Sequence, residues 1–109
     1  MRTNYPSKSR YVALEGAIVY DSQTQTIRTP KTIVALTPSE RRIVRRLVEN
    51  QGEVVSREQL MLDLWNTSEY IGEGTLTTHI SRLRRKLKRQ IGCGLIQTVK
   101  GKGYKLPKR

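Results

Sequence analysis

The sequence predicts an α+β domain made of an N-terminal antiparallel β-meander, three helices and a C-terminal β-hairpin. Three observations carry this prediction. Short β-rich runs broken by turn residues occupy Tyr11 to Leu36. From Thr37 onward the apolar residues fall at helical spacing in three successive segments. After Gly92-Cys93-Gly94 the strand pattern returns around a glycine-rich tip.

The meander comes first. Tyr11 to Leu14, Ala17 to Tyr20, Thr26 to Arg28 and Thr32 to Leu36 are the strand candidates, separated by Glu15-Gly16, Asp21-Ser22-Gln23 and Pro30-Lys31. Connections this short favour antiparallel pairing. Residues 1–9 are polar, contain a proline and have no periodicity, so they read as a linker or cloning remnant, with the domain proper over 10–109.

Thr37-Pro38-Ser39-Glu40 opens the first helix. Thr37 suits the cap and Pro38 the first helical position, while Glu40 can return a bond to the cap. Ile43, Val44, Leu47 and Val48 follow, and Asn50-Gln51-Gly52 stops the run. Ser56-Arg57-Glu58-Gln59 is a second capping box, with Val55 and Leu60 placed for a hydrophobic staple. This second helix carries Leu60, Met61, Leu64 and Trp65, and Asn66 to Gly74 reads as a loop.

In the third helix Leu76, Ile80, Leu83 and Leu87 stand at i, i+4, i+7 and i+11. At about 100° per residue they fall within roughly 60° of one another. Turning that stripe inward turns Thr78, Ser81, Arg82, Arg85 and Arg89 outward, with Thr75 and His79 on one flank and Thr77 and Arg84 on the other. The closing hairpin pairs Leu95 to Val99 with Tyr104 to Leu106 around Lys100-Gly101-Lys102-Gly103.

Charge gives the functional direction. Net charge is +12, yet residues 1–73 hold ten Lys/Arg against nine Asp/Glu, whereas residues 74–109 hold eleven and no acid. The stretch from Thr77 to Arg89 packs six cations into thirteen residues. Such asymmetry is the electrostatic footprint of a nucleic-acid binder, because interleaved apolar residues make it a folded surface rather than a basic tail. A duplex major groove, about 12 Å wide, admits one helix. Arg82 and Arg85 then suit bidentate contact with guanine, and Thr78 and Ser81 a thymine methyl or base edge. Lys100 and Lys102 at the hairpin tip suit an adjacent minor groove or its phosphates.

Other classes fit less well. One Cys and one His fall short of a four-ligand zinc site, and no paired carboxylates or phosphate-cradling GxxxxGK[ST] loop appear, so no metal, cofactor or enzymatic activity is expected. No apolar run reaches the roughly 20 residues of a membrane span. A soluble cytoplasmic protein follows as the expectation. An RNA-binding module would group exposed aromatics, which are few here. An adaptor whose cations meet an acidic protein stays open. Among single residues, Trp65 reads as core with a second role as a phosphate donor through its indole N–H. Arg41, Arg42, Arg45 and Arg46 read as a solvated face or a protein-contact surface, and Cys93 as a loop thiol.

The stretches LTPSERRIVRRLVENQGEVVSREQLMLDLW, TLTTHISRLRRKL and IQTVKGKGYKL, in this order and spacing, resemble the winged helix-turn-helix effector domain of OmpR/PhoB-type response regulators. With the meander included, the resemblance covers roughly nine-tenths of the chain. It implies a sequence-specific, double-stranded-DNA-binding transcription regulator of a two-component system. Its recognition helix would run from Thr75 to Leu87, with Thr78, Ser81, Arg82 and Arg85 reading bases. Phosphate contacts would fall on Arg57, Trp65, Thr75, His79 and Thr98, with Arg84 and Tyr104 as additions, and the wing cation on Lys100. The loop Asn66 to Glu73 would be the RNA polymerase-facing loop. The resemblance further implies a homodimer on tandem half-sites. Most members place a receiver domain, served by a sensor kinase, upstream of this module. The chain therefore reads either as an excised effector domain or as a protein that works without a receiver, and the linker-like residues 1–9 favour the first. Gly74 stands where a basic residue is common in the family, removing one phosphate contact, and Ser81 where some members have Arg, so base preference is not transferable.

Overall fold

A computed structural model describes residues 10–65 and 73–107, with the side chains of 73–75 outside that description. Four strands come first, β1 (Tyr11–Glu15), β2 (Ile18–Asp21), β3 (Thr26–Arg28) and β4 (Ile33–Val34). They form an antiparallel sheet in sequence order, as the short turns predict. The β2–β3 turn has a charged centre that the sequence did not announce. The Asp21 carboxylate is fully buried and accepts two bonds from the Arg10 guanidinium, both 2.9 Å. It also accepts from the Gln23 and Thr24 backbone N–H groups and lies 3.8 Å from Arg28 Nη1.

Helix α1 (Pro38–Glu49) begins at the predicted capping box. Thr37 Oγ1 accepts from the Glu40 N–H at 3.2 Å, and Glu40 Oε1 accepts from the Thr37 N–H at 2.9 Å. The same Oε1 accepts from Lys86 Nζ at 2.8 Å, so one nearly buried carboxylate both caps α1 and holds the third helix. The segment expected only to cap the second helix contains a two-residue strand, β5 (Val55–Ser56). Ser56 still accepts from the Gln59 N–H, at 3.1 Å, as α2 (Arg57–Trp65) begins. Arg46 makes a fork of two bonds, 2.8 and 2.9 Å, to Asp63, fastening α1 to α2. Arg46 is therefore structural rather than part of a merely solvated face.

Helix α3 (Glu73–Ile91) starts two residues earlier than the expected Thr75. Leu76, Ile80, Leu83 and Leu87 are all fully buried, as the stripe predicts. They join Leu14 and Ile27 of the meander and Ile43 and Leu47 of α1 in one core cluster. Each such side chain contributes roughly 1.5–3 kcal/mol of apolar burial. Trp65 departs from expectation. It is 67% exposed, because Leu60 and Leu64 take the inward positions of α2 and leave Leu62 and Trp65 outside.

Gly92, at φ +79°, ends α3. Leu95 takes φ +64° while the Ile96 N–H bonds to the Gly94 carbonyl at 2.6 Å, a tight γ-turn that reverses the chain. The last strands, β6 (Gln97–Val99) and β7 (Gly103–Lys105), pair as predicted, but β7 also pairs with β5, giving the order β5-β7-β6. Among the described residues no helix is long and apolar enough to cross a membrane. The linker segment 1–9 and most of the expected polymerase-facing loop lie outside the described residues.

The Arg10 bonds, with help from the turn's N–H groups, hold the Asp21 carboxyl well below the usual carboxylate range. A depressed folded-state pKa stabilises the fold above the unfolded value of about 3.9 and loses that contribution as pH falls below it. Denaturant unfolding from pH 7 to pH 2 is therefore expected to show falling stability below about pH 4. Asp21→Asn should be less stable at pH 7 and flatter across the acid range.

Candidate nucleic-acid interface

The outward side of α3 follows from its inward side. With the apolar stripe buried, Thr78, Arg82, Arg85 and Arg89 are exposed and Ser81 is half-buried. Both arginines are exposed, and among the described residues neither Arg82 nor Arg85 forms an ion pair with a carboxylate. Lys86 differs, being spent on Glu40 at the flank of the helix. His79 is half-buried on the flank the stripe assigns it.

Beside this face stands the wing. Lys100 and Lys102 are exposed at its tip, where Gly101 takes φ +76° and the Lys102 N–H bonds to the Val99 carbonyl at 2.9 Å. Only glycine adopts that φ without steric cost, which keeps the turn tight and both lysines at its rim. Gly103 has a different reason. A Cβ there would overlap the Val55 carbonyl, so the glycine permits β5 and β7 to approach. Their register sets Val55 opposite Tyr104 and Ser56 opposite Gly103. The residue after Ser56 is Arg57, and this pairing brings the start of α2 to the root of the wing.

There the three elements meet. Arg57 Nη1 donates to the Tyr104 hydroxyl at 2.9 Å and its Nη2 donates to Thr77 Oγ1 at 3.1 Å. Arg84 Nη1 donates to Thr98 Oγ1 at 2.7 Å and to the Ile96 carbonyl at 3.2 Å. Both guanidinium carbons lie near the Tyr104 ring, 5.9 Å for Arg57 and 6.0 Å for Arg84 from its centroid. Thr98 is exposed, whereas Tyr104 is only 4% exposed. Of the residues expected at phosphates, Arg57, Arg84, Thr98 and Tyr104 are thus in one cluster. Trp65 is exposed at the end of α2, and the Thr75 side chain is outside the described residues.

On α1, Arg45 pairs with Glu49 at 3.2 Å and Arg41 bonds to the Leu36 carbonyl at 3.2 Å. These cations belong to a separate surface. Cys93 lies 3.6 Å from a Glu15 oxygen. Among the described residues no three His, Cys, Asp or Glu side chains gather as a metal site. Thr77 and the β5–β7 pairing are what sequence reasoning missed. The pairing needs a two-residue strand, too short to show a period.

A helix with one cationic face, next to a three-stranded wing, is shared with known proteins. Residues 31–106 match the family described as "Transcriptional regulatory protein, C terminal". The chain belongs to this family, the OmpR/PhoB-type DNA-binding domains of transcription regulators. The sensory transduction protein BceR of Bacillus subtilis (strain 168) is 39% identical over 90 residues, 82% of this chain and 38% of that protein. The chain spans less than half the length of the curated relatives it matches. The C-terminal domain of the nisin resistance regulator NsrR is 32% identical, with a TM-score of 0.69, 87% of this chain covered and 96% of that one. The AdeR DNA-binding domain, solved with an intercistronic region, is 28% identical with a TM-score of 0.70, covering 88% and 98%. The fold is accordingly the winged helix, and the family is one of transcription factors rather than enzymes.

Because the OmpR/PhoB-type wing is docked through Gly103, Gly103→Ala should lower the melting temperature and loosen the wing. Hydrogen exchange at β6 and β7 is expected to accelerate more than exchange in β1–β3.

Proposed function

We propose that this chain is the effector domain of a two-component response regulator and binds duplex DNA sequence-specifically, with α3 in the major groove and the wing in the adjacent minor groove. One observation carries the reading. Thr78, Ser81, Arg82 and Arg85 share the outward side of a helix whose opposite side is fully buried. A helix so fixed presents the same four side chains to a groove every time it docks, as direct readout requires.

Arg82 and Arg85 carry the base contacts, and Thr78 and Ser81 the apolar and hydroxyl contacts beside them. Arg57, Arg84, His79 and Thr98 hold the flanking phosphates, joined by Trp65 through its indole N–H and by Thr75. Lys100 enters the minor groove and Lys102 lies at its edge. Two copies on tandem half-sites about 10 base pairs apart place both recognition helices on one side of the duplex. The segment Asn66 to Glu73 serves as the surface for RNA polymerase, and an upstream receiver domain acted on by a sensor kinase supplies the signal, in the cytoplasm. The names of the relatives support the signalling role, since BceR is a sensory transduction protein and AdeR a response regulator.

Filter binding at rising salt, using a duplex selected from a random pool, tests the reading. Affinity should fall with log salt at about 0.9 per neutralised phosphate, and the selected duplex should be retained above random sequence. Equal retention of all duplexes would favour an adaptor for an acidic protein. Arg82→Ala should cost about 1–3 kcal/mol on the selected duplex and relax discrimination at one base pair. Uniformly weaker binding to every sequence would make Arg82 a phosphate anchor instead. Lys100→Ala should reduce the magnitude of the salt slope by about one, and an unchanged slope would remove the wing from the contact set.

A further inference from the structure

Tyr104 stands at the junction of α2, α3 and the wing, and it is almost wholly buried. It therefore has little surface to offer a phosphate. Its hydroxyl nevertheless accepts from Arg57 at 2.9 Å, and its ring lies near both Arg57 and Arg84. We infer that Tyr104 is a positioning residue, which acts on DNA through the two arginines it aims and not by touching the duplex.

The chemistry of the groups supports this. A guanidinium is a rigid planar fork with five N–H donors and no acceptor. Fixing two of them fixes the plane of the whole group. In Arg57 the Tyr104 hydroxyl and Thr77 Oγ1 take one N–H from each terminal nitrogen, so the plane is set from β7 on one side and α3 on the other. In Arg84 the Ile96 carbonyl and Thr98 Oγ1 do the same through Nη1, while the Tyr104 ring supplies a negative face nearby. An arginine on a free surface loses rotamer entropy when it meets a phosphate. Here much of that ordering is made before DNA arrives, by a side chain that the β5–β7 register carries to the spot.

The inference rests on the proposed DNA-binding function, and a double-mutant cycle separates the two. Tyr104→Phe keeps the ring and removes only the hydroxyl. It should weaken binding to the selected duplex by about three- to ten-fold, the scale of one hydrogen bond, with the melting temperature unchanged. In an Arg57→Ala background the same change should cost nothing further, since the residue it acts through is gone. An equal loss in both backgrounds would mean that Tyr104 contacts DNA itself and would overturn the inference. So would a Tyr104→Phe protein that binds like wild type. A second readout needs no DNA. In the free protein, NMR of the Arg57 guanidinium should show restricted rotation that Tyr104→Phe releases; free rotation in wild type would also overturn it. Failure of wild type to prefer any duplex, with Arg57 still restricted, would instead count against the DNA-binding reading alone.

Discussion

The rotation of α3 about its own axis is the constraint from which the rest of the structure takes its meaning. Leu76, Ile80, Leu83 and Leu87 leave no apolar surface in water, and any turn of the helix would expose some of it while burying guanidiniums without partners. Both consequences oppose rotation. The Lys86–Glu40 pair adds a polar stop on one flank, and because Glu40 also caps α1 the position of α3 is tied to the start of another helix. An outward face held this firmly is a surface on which side-chain identity at four positions carries information.

A second constraint sets the wing against that face. The β5–β7 pairing depends on a glycine at 103, where a side chain would collide with the Val55 carbonyl. Through this short ladder the hairpin is fastened to the residue that precedes α2. Gln51 closes the same seam from the other side, donating to the carbonyls of Ala13 and Pro107 at 2.8 and 3.1 Å. The meander, the turn after α1 and the end of the chain are thus joined behind the interface. The two arginines at its edge are then oriented by groups belonging to three different elements.

Much of this was legible in the sequence, for identifiable reasons. The α3 stripe spans twelve residues, Leu76 to Leu87, at an unbroken helical period, and the Thr37–Glu40 box names its own reciprocal bonds. Both signals are local and regular. What escaped was short or long-range. Val55-Ser56 served equally well as a staple and cap, so its pairing with a strand nearly fifty residues later left no trace in the pattern. Trp65 followed Leu64 in an apolar cluster, and hydrophobicity alone did not reveal that the inward face of α2 was already filled by Leu60 and Leu64. Asp21 looked like a turn residue, and only its burial beside Arg10 makes it a charged anchor. The hydroxyl partners of Arg57 and Arg84 belong to the same class, since they appear only once three separate elements are brought together.

Backbone amide NMR during titration with a selected duplex shows which face of α3 meets DNA. The largest shifts should fall on Thr78, Ser81, Arg82 and Arg85, with a second set at Lys100 to Lys102, while the amides of Leu76, Ile80, Leu83 and Leu87 should stay protected from exchange. Shifts concentrated on Arg41, Arg42 and Arg45 of α1, or loss of protection along the α3 stripe, would contradict this assignment of the α3 face.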